Sequence, residues 1–153
     1  MAAFFRLLFM ILAAILPAVI EFPASPAGRG WVLLDFDAAI CASCFQPALD
    51  CLAALPESLQ EENLLGIVVF AGPSDPQAAA ARRRVVEKQW DALARSGRIR
   101  MPVVFDGSSL WKGILGNRIA LALCFDPGTR SLREFPLPLH GAEFDAFLAL
   151  LLH

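Results

Sequence analysis

Residues 31–44 read WVLLDFDAAICASC, an apolar run followed by two cysteines with two residues between them. The run from Trp31 to Phe36 is nearly continuous in apolar residues, which is typical of a β-strand buried on both faces. The next stretch, Cys41 to Leu59, repeats apolar residues at intervals of three and four, which predicts a helix. Strand and helix together therefore put the cysteine pair at the start of a helix, just past a buried strand.

The rest of the chain continues this alternation and closes with a hairpin. Strands followed by helices predict right-handed crossovers and an α/β fold. We therefore expect a central, mostly parallel sheet with helices on both faces and a C-terminal antiparallel hairpin. The predicted strands are Leu64–Ala71, Met101–Phe105, Arg118–Phe125 and Ser131–Phe135, and the predicted helices are Gln77–Ser96, Ser108–Leu115 and Ala142–Leu152.

Length and charge limit the classes of protein to which the chain can belong. Its 153 residues suggest one domain with a real core. The formal net charge of −2 gives no electrostatic reason to expect nucleic acid as a partner. The hydrophobic content of 57% is high for a soluble protein, so part of the chain is expected to contact lipid or to be removed.

The N-terminus accounts for this excess. Residues 7–20 carry no charge and follow Arg6, a length that suits the core of a signal peptide. Small residues at Ser25 and Ala27 offer a cleavage site. A helix over residues 1–20, with Arg6 reaching the interface, would instead be an uncleaved anchor, and a buried core helix is a third interpretation. The first two predict residues 1–27 as a leader or membrane anchor with its linker, and residues 28–153 as a domain outside the cytosol, periplasmic or otherwise extracytoplasmic.

The segment from Val32 to Cys44 resembles the first strand and the active-site turn of the thioredoxin superfamily. In that family a strand ends in an Asp-Phe pair and the first cysteine follows six residues after the aspartate, as Cys41 follows Asp35. The order of elements is similar to that of the TlpA/ResA-type thiol–disulfide oxidoreductases, which are secreted or tethered to membranes. The resemblance implies a thioredoxin-like domain that exchanges electrons with protein cysteines and needs no bound cofactor.

The chemistry expected of the pair follows from the helix start. Unpaired backbone N–H groups and the helix dipole favour an anion there, so the thiolate of Cys41 is stabilised and acts as the nucleophile. Cys44 lies one helical turn away and is the resolving thiol. Asp35, on the adjacent strand, is expected to be buried below the pair, where a protonated carboxylic acid would shuttle the proton of Cys44. The alternative for Asp35 is a strand-end carboxylate that faces water.

Two departures from the family pattern leave alternatives open. A proline with a cis peptide bond usually faces the cysteine pair, and the matching position here is either Ala120 or Pro102. The second departure is Asp37, which would put negative charge near Cys41 and oppose thiolate formation. Both departures favour an alternative function, a non-catalytic thioredoxin-fold module for binding or assembly at the membrane.

The remaining cysteines, Cys51 and Cys124, have three interpretations: buried packing, a disulfide between them, or a part in electron relay or metal binding. A metal carrier would use Cys41, Cys44 and Cys51 as ligands, but no second C-x-x-C and no paired histidines support it. We therefore predict no metal site. The predicted partners are protein thiols and disulfides, together with a membrane-embedded redox partner if residues 1–20 associate with the membrane. The basic run at residues 82–84 is interpreted as a solvated helix face.

Overall fold

The computed structural model of the protein describes residues 29–40, 42–108 and 110–153. The predicted leader or anchor over residues 1–27 therefore lies outside the described residues, and so does Cys41. Within the described ranges, no helix combines the length and the apolar character that crossing a bilayer requires.

Five strands and five α-helices alternate along the described chain. A 3₁₀ turn at Phe36–Ile40 directly follows the first strand. The strands are β1 (Gly30–Asp35), β2 (Leu64–Val69), β3 (Val103–Asp106), β4 (Ala120–Asp126) and β5 (Ser131–Pro136), and the helices are α1 (Ala42–Ala53), α2 (Glu57–Asn63), α3 (Pro76–Gly97), α4 (Leu110–Leu115) and α5 (Ala142–Leu152).

The strands form one mixed sheet in the order β3-β2-β1-β4-β5. β1 and β3 each pair with β2 in parallel, whereas β4 runs antiparallel to both β1 and β5. The predicted α/β class and the hairpin are confirmed. The sheet is half antiparallel rather than mostly parallel, because the hairpin lies against β1. The register aligns Asp35 with Val69 and Val69 with Asp106, so the three parallel strands end at one edge.

Each face of the sheet buries its own set of apolar side chains. Val32 and Leu34 of β1 face a core that includes residues of α1, α3 and α5, among them Trp90 and Phe147. Leu33 points the other way and packs in a second core with Trp111 and Leu115 of α4. This alternation explains why the strand sequences are nearly continuously apolar, and it places helices on both faces, as predicted.

Pro56, which the sequence predicts to bend or end the helix over residues 41–59, separates two helices. α1 ends at Ala53, and α2 begins at Glu57, because proline has no N–H to continue the helical ladder. Gln60, only 1% exposed, joins the parts. Its Nε2 donates to the carbonyl of Leu55 at 3.0 Å, and its Oε1 accepts from the N–H of Arg100 at 2.8 Å. The glutamine therefore satisfies one carbonyl at the interruption and one N–H of the segment that follows α3.

The long helix α3 follows its predicted signals with one exception. Asp75 caps its first turn by accepting the N–H of Ala78 at 2.7 Å, as expected of aspartate before a proline-led helix. The spacing of its apolar residues predicts that Val85, Val86 and Trp90 all face the core. Val86 and Trp90 are buried, as predicted. Val85 is 47% exposed, so its predicted place in the core is wrong. Adjacent helical residues point about 100° apart, and the core-facing stripe takes Val86.

Candidate functional site

The first turn of α1 carries Cys44 beside an aromatic contact that orients it. Phe45 is 2% exposed, and its ring packs edge-on against Phe36 of the 3₁₀ turn with the centroids 6.2 Å apart. Cys44, its neighbour, is exposed. Burial of Phe45 therefore fixes the rotation of the helix start and leaves the adjacent cysteine at the protein surface.

Asp35 ends β1 and is held by a lysine from a distant part of the chain. Its side chain is 16% exposed, and Lys112 Nζ lies 3.0 Å from both carboxylate oxygens. Hydrogen bonds of this kind stabilise the ionised carboxylate. Asp35 is largely buried, as one interpretation expected, but it is bound as an ion pair. It is therefore neither a partnerless buried acid nor a carboxylate that faces water alone.

The contact with Asp35 also changes the pKa of Lys112. The hydrogen bond that Lys112 donates to Asp35 raises the pKa of the Lys112 ammonium above its ordinary value, and the charges of Asp35 and Asp37 act in the same direction. Partial burial of the lysine opposes this rise. The lysine therefore stays protonated throughout the neutral range, and its side chain, 41% exposed, keeps a positive charge at this edge of the sheet.

Asp37, in the 3₁₀ turn, has partners on three sides. Its Oδ2 accepts the N–H of Ala71 at 2.8 Å, and Arg82 Nη2 lies 3.1 Å from Oδ1. Lys112 Nζ is 3.5 Å away, and the N–H of Asp37 itself donates to Asp35 at 3.2 Å. Two carboxylates and two cations thus form one connected group, called here the charge cluster: Asp35, Asp37, Arg82 and Lys112.

The sequence pattern does not reveal the two cations of this cluster. It indicates a solvated helix face for Arg82 and carries no signal for Lys112. The order of elements does carry a signal, since helices that follow parallel strands begin at the carboxyl edge of the sheet. α3 follows β2, and α4 follows β3. Cations near the starts of these helices are therefore candidates to meet Asp35, which ends β1 at the same edge.

The two candidate positions for the cis-proline lie at opposite ends of the parallel strands. Ala120 begins β4 opposite Leu34, and the preceding carbonyl, that of Ile119, accepts the N–H of Asp35 at 2.8 Å. Pro102 precedes β3 and therefore lies at the end of the sheet where the parallel strands begin. Of the two, Ala120 is thus the one beside the charge cluster. Within the described residues, the cis peptide bond is Leu137–Pro138, at neither position.

Cys51 and Cys124 are both thiols, not a disulfide. Cys124, on β4, is fully buried, and desolvation there raises its pKa to about 12. Cys51 is half-buried on α1, where burial also raises its pKa and its Sγ accepts the N–H of Leu139 at 3.4 Å. Burial of an uncharged thiol favours packing over nucleophilic chemistry at both positions.

The described residues contain no group of three histidine, cysteine or acidic side chains placed to hold a metal ion. The metal-carrier interpretation depends on Cys41, which lies outside the described residues, as a ligand together with Cys44 and Cys51. Cys44 and Cys51 alone fall short of the four ligands of a typical structural zinc site.

Fold and site together define an α/β protein that carries an exposed cysteine at a helix start, with a charge cluster that joins β1, the 3₁₀ turn, α3 and α4 at the carboxyl edge of the parallel strands. In comparisons with known proteins, the chain matches no family model, no curated protein and no solved structure.

Proposed function

We propose that the protein is a thiol–disulfide oxidoreductase that exchanges electrons with cysteines of other proteins through Cys41 and Cys44. The observation that carries this proposal is the exposed position of Cys44 on the first turn of a helix that follows a central strand of the sheet after one 3₁₀ turn. A client disulfide needs access to the pair, and a helix start favours thiolate at the preceding cysteine.

Reduction of a client takes two exchange steps. The Cys41 thiolate attacks one sulfur of the client disulfide, forms a mixed disulfide and releases the other client sulfur as a thiolate. The Cys44 thiolate then attacks Cys41, which releases the second client thiolate and leaves a Cys41–Cys44 disulfide. The protein has lost two electrons, which the client has gained. The reverse sequence oxidises a client dithiol.

The charge cluster supports this chemistry by its position at the carboxyl edge of the parallel strands. A proton must leave Cys44 before it attacks, and Asp35 is the acceptor we assign to that proton. Lys112 Nζ contacts both of its oxygens and so holds the carboxylate in one position. Asp35 is therefore proposed as the proton acceptor, held in place by the lysine.

The alternating strand–helix units and the closing hairpin also support the thioredoxin-like arrangement that the sequence resemblance implies. We further propose that residues 1–27 direct the domain out of the cytosol or anchor it in a membrane. Its partners would then be secreted or membrane-bound proteins with reactive thiols, and a membrane-embedded redox protein could exchange electrons with it.

A disulfide-reduction assay tests the proposal. With dithiothreitol as the electron source, the protein should accelerate insulin reduction, and Cys41→Ser should return the rate to that of dithiothreitol alone. Cys44→Ser, reduced and then mixed with insulin after dithiothreitol has been removed, should accumulate a mixed disulfide with the client, visible by mass spectrometry, because the variant has no resolving thiol. Cys51→Ser is the matched control, since it removes a thiol from the same helix and should leave turnover unchanged. Equal turnover by Cys41→Ser would overturn the proposal.

One observation favours a second candidate, a binding or assembly module without turnover. Ala120 occupies the strand start beside Asp35, where the family usually carries a proline that docks the client backbone. Two measurements distinguish the candidates. A module would retain its membrane or protein partner in Cys41→Ser/Cys44→Ser, and its wild type would show no insulin reduction.

A further inference from the structure

We infer that a cleft at the C-terminal end of α3 binds phosphate, presented either by a small phosphomonoester or by a lipid headgroup of the same chemistry. Three of the six residues that line the cleft are arginines, and guanidinium groups bind phosphate oxygens in pairs. The cleft has a volume of about 370 Å³ and is lined by Asp91, Ala94, Arg95, Arg98, Ile99 and Arg100.

The cleft lies at the opposite end of the sheet from the charge cluster. α3 starts beyond the end of β2 and leads into β3, which is parallel to β2, so the helix ends where these strands begin. Arg95 follows Arg82 of the charge cluster by thirteen residues, a distance of about 20 Å along the helix axis. An anion in the cleft therefore does not contact the charge cluster.

Hydrogen bonds and one buried side chain fix the backbone of the cleft. Arg98 caps α3 in the left-handed conformation, and its N–H and that of Ile99 both donate to the carbonyl of Ala94. Ile99 is buried, and the N–H of Arg100 donates to Oε1 of the buried Gln60 at 2.8 Å. Arg98 and Arg100 therefore flank an anchored residue, while both remain exposed.

The arginines of the cleft have few partners within the protein. Among the described residues, the side chains of Arg95 and Arg98 form no hydrogen bond or ion pair. Arg100 Nε lies 3.9 Å from Oε1 of Glu57, and both side chains are more than half exposed. An exposed pair at this distance is weak, so an anion can replace the glutamate.

Arginine at the end of a helix often binds the last carbonyls, and α4 shows this arrangement. Arg118 Nε donates to the carbonyl of Leu115 at 3.3 Å. At the end of α3, backbone N–H groups bind the carbonyl of Ala94 instead. Arg98 also occupies a left-handed position that usually carries glycine or asparagine, because a Cβ is crowded there. Hydrogen bonds of the helix cap therefore do not explain the arginine.

The charge of the lining matches that of a phosphomonoester. Three arginines and one aspartate give the lining a net charge of +2. A phosphomonoester carries about −1.5 to −2 at pH 7 and offers three strong acceptor oxygens. Asp91, the acid of the lining, opposes the anion, so its removal and the removal of an arginine should have opposite effects on affinity.

The position of the cleft is compatible with a lipid as the source of the phosphate. Gly30 begins β1 beside Leu64, which begins β2, so the described chain starts at the end of the sheet that carries the cleft. A membrane anchor over residues 1–27, as proposed above, would join the domain at that same end. Phosphatidic acid is the lipid whose headgroup is a phosphomonoester.

Titration of the isotope-labelled full chain with inorganic phosphate and with glycerol 3-phosphate, followed by NMR, tests the site. The amide signals of residues 94–100 should shift and saturate, whereas those of residues 112–115 should not. Arg95→Gln and Arg98→Gln should each weaken binding roughly 3- to 10-fold, because each removes a charge-assisted contact that is exposed to solvent. Asp91→Asn should tighten binding roughly 2- to 4-fold.

Arg84→Gln is the matched control for these variants. Arg84 is exposed on the same helix, about 16 Å before Arg95 along the axis, and its removal changes the net charge equally. It should leave the affinity unchanged. All of these residues are exposed, so the variants should unfold at the urea midpoint of the wild type. Equal weakening by Arg84→Gln and Arg95→Gln, or no saturable shift at residues 94–100 together with no binding to phosphatidic acid, would overturn the inference.

Sedimentation with vesicles distinguishes the two sources of phosphate. Vesicles of phosphatidylcholine alone measure binding by every other part of the chain, and vesicles that also contain phosphatidic acid add the headgroup. A lipid source predicts extra binding that is lost in Arg95→Gln/Arg98→Gln, whereas a free phosphomonoester predicts the NMR shifts without extra binding. Insulin reduction by this double variant should equal that of the wild type, so the inference and the proposed function fail independently.

Discussion

Replacing Phe147 with alanine should lower the free energy of unfolding by about 3–5 kcal/mol. Phe147 is 1% exposed at the centre of α5, and its ring lies 5.3 Å from that of Phe135 on β5. The substitution removes the contacts of a whole aromatic ring and leaves a cavity between helix and sheet. Such a loss is a large share of the roughly 5–15 kcal/mol that stabilises a typical domain.

Equilibrium unfolding in urea, followed by circular dichroism, measures this loss. The matched control is Leu152→Ala on the same helix, where the side chain is 59% exposed and the expected change is within about 0.5 kcal/mol. The denaturant slope should be similar in the two variants, so that a shift of the midpoint reports stability alone. Equal losses in both variants would contradict the assignment of α5 to the core.

Raising the pH above 9 should destabilise the fold, and Cys124 should account for much of the effect. Burial raises the pKa of this thiol from its ordinary value of 9.0 to about 12. The unfolded chain therefore releases the proton near pH 9, whereas the folded protein retains it to about pH 12. Between these pH values, release of the proton stabilises only the unfolded chain. The free energy of unfolding therefore falls by about 1.4 kcal/mol for each pH unit.

At pH 11 the loss from Cys124 is therefore about 2–3 kcal/mol. Lys112 acts in the same direction, because its pKa is raised in the folded protein and its stabilising contribution is lost as the pH rises through that value. Unfolding in urea at pH 8 and pH 11, in reducing buffer, should show a smaller difference for Cys124→Ala than for the wild type. Parallel losses in the two proteins would show that Cys124 does not titrate as proposed.

Much of the local structure follows from the sequence because it depends on neighbouring residues. The continuous apolar runs around Val32 and Ile67 predict buried strands, and both residues are fully buried. Asp75 and Pro76 predict the start of α3, since a side-chain acceptor and a fixed φ angle act within one turn. The 3₁₀ turn carries no such periodic signal, and the sequence did not predict it, whereas Pro56 indicated a bend or an end of the helix before α2.

The residues of the candidate site also fall into two groups, those that the sequence indicates and those that only the fold brings together. The sequence locates Asp35, Cys41 and Cys44 through the spacing of a short motif. It leaves out Lys112, which lies 77 residues from Asp35 in the chain, and it misassigns Arg82. A salt bridge between residues so far apart depends on how the strands are ordered and which edge they share.

What the sequence by itself determined is therefore the succession of strands and helices, the buried runs and the placing of Cys44 at a helix start. These features depend on interactions between residues a few positions apart. Only the tertiary structure decided that the hairpin lies against β1, that Val86 rather than Val85 enters the core, and that the charge of Asp37 is balanced. Each of these outcomes depends on contacts between distant segments, and no local pattern of residues encodes such contacts.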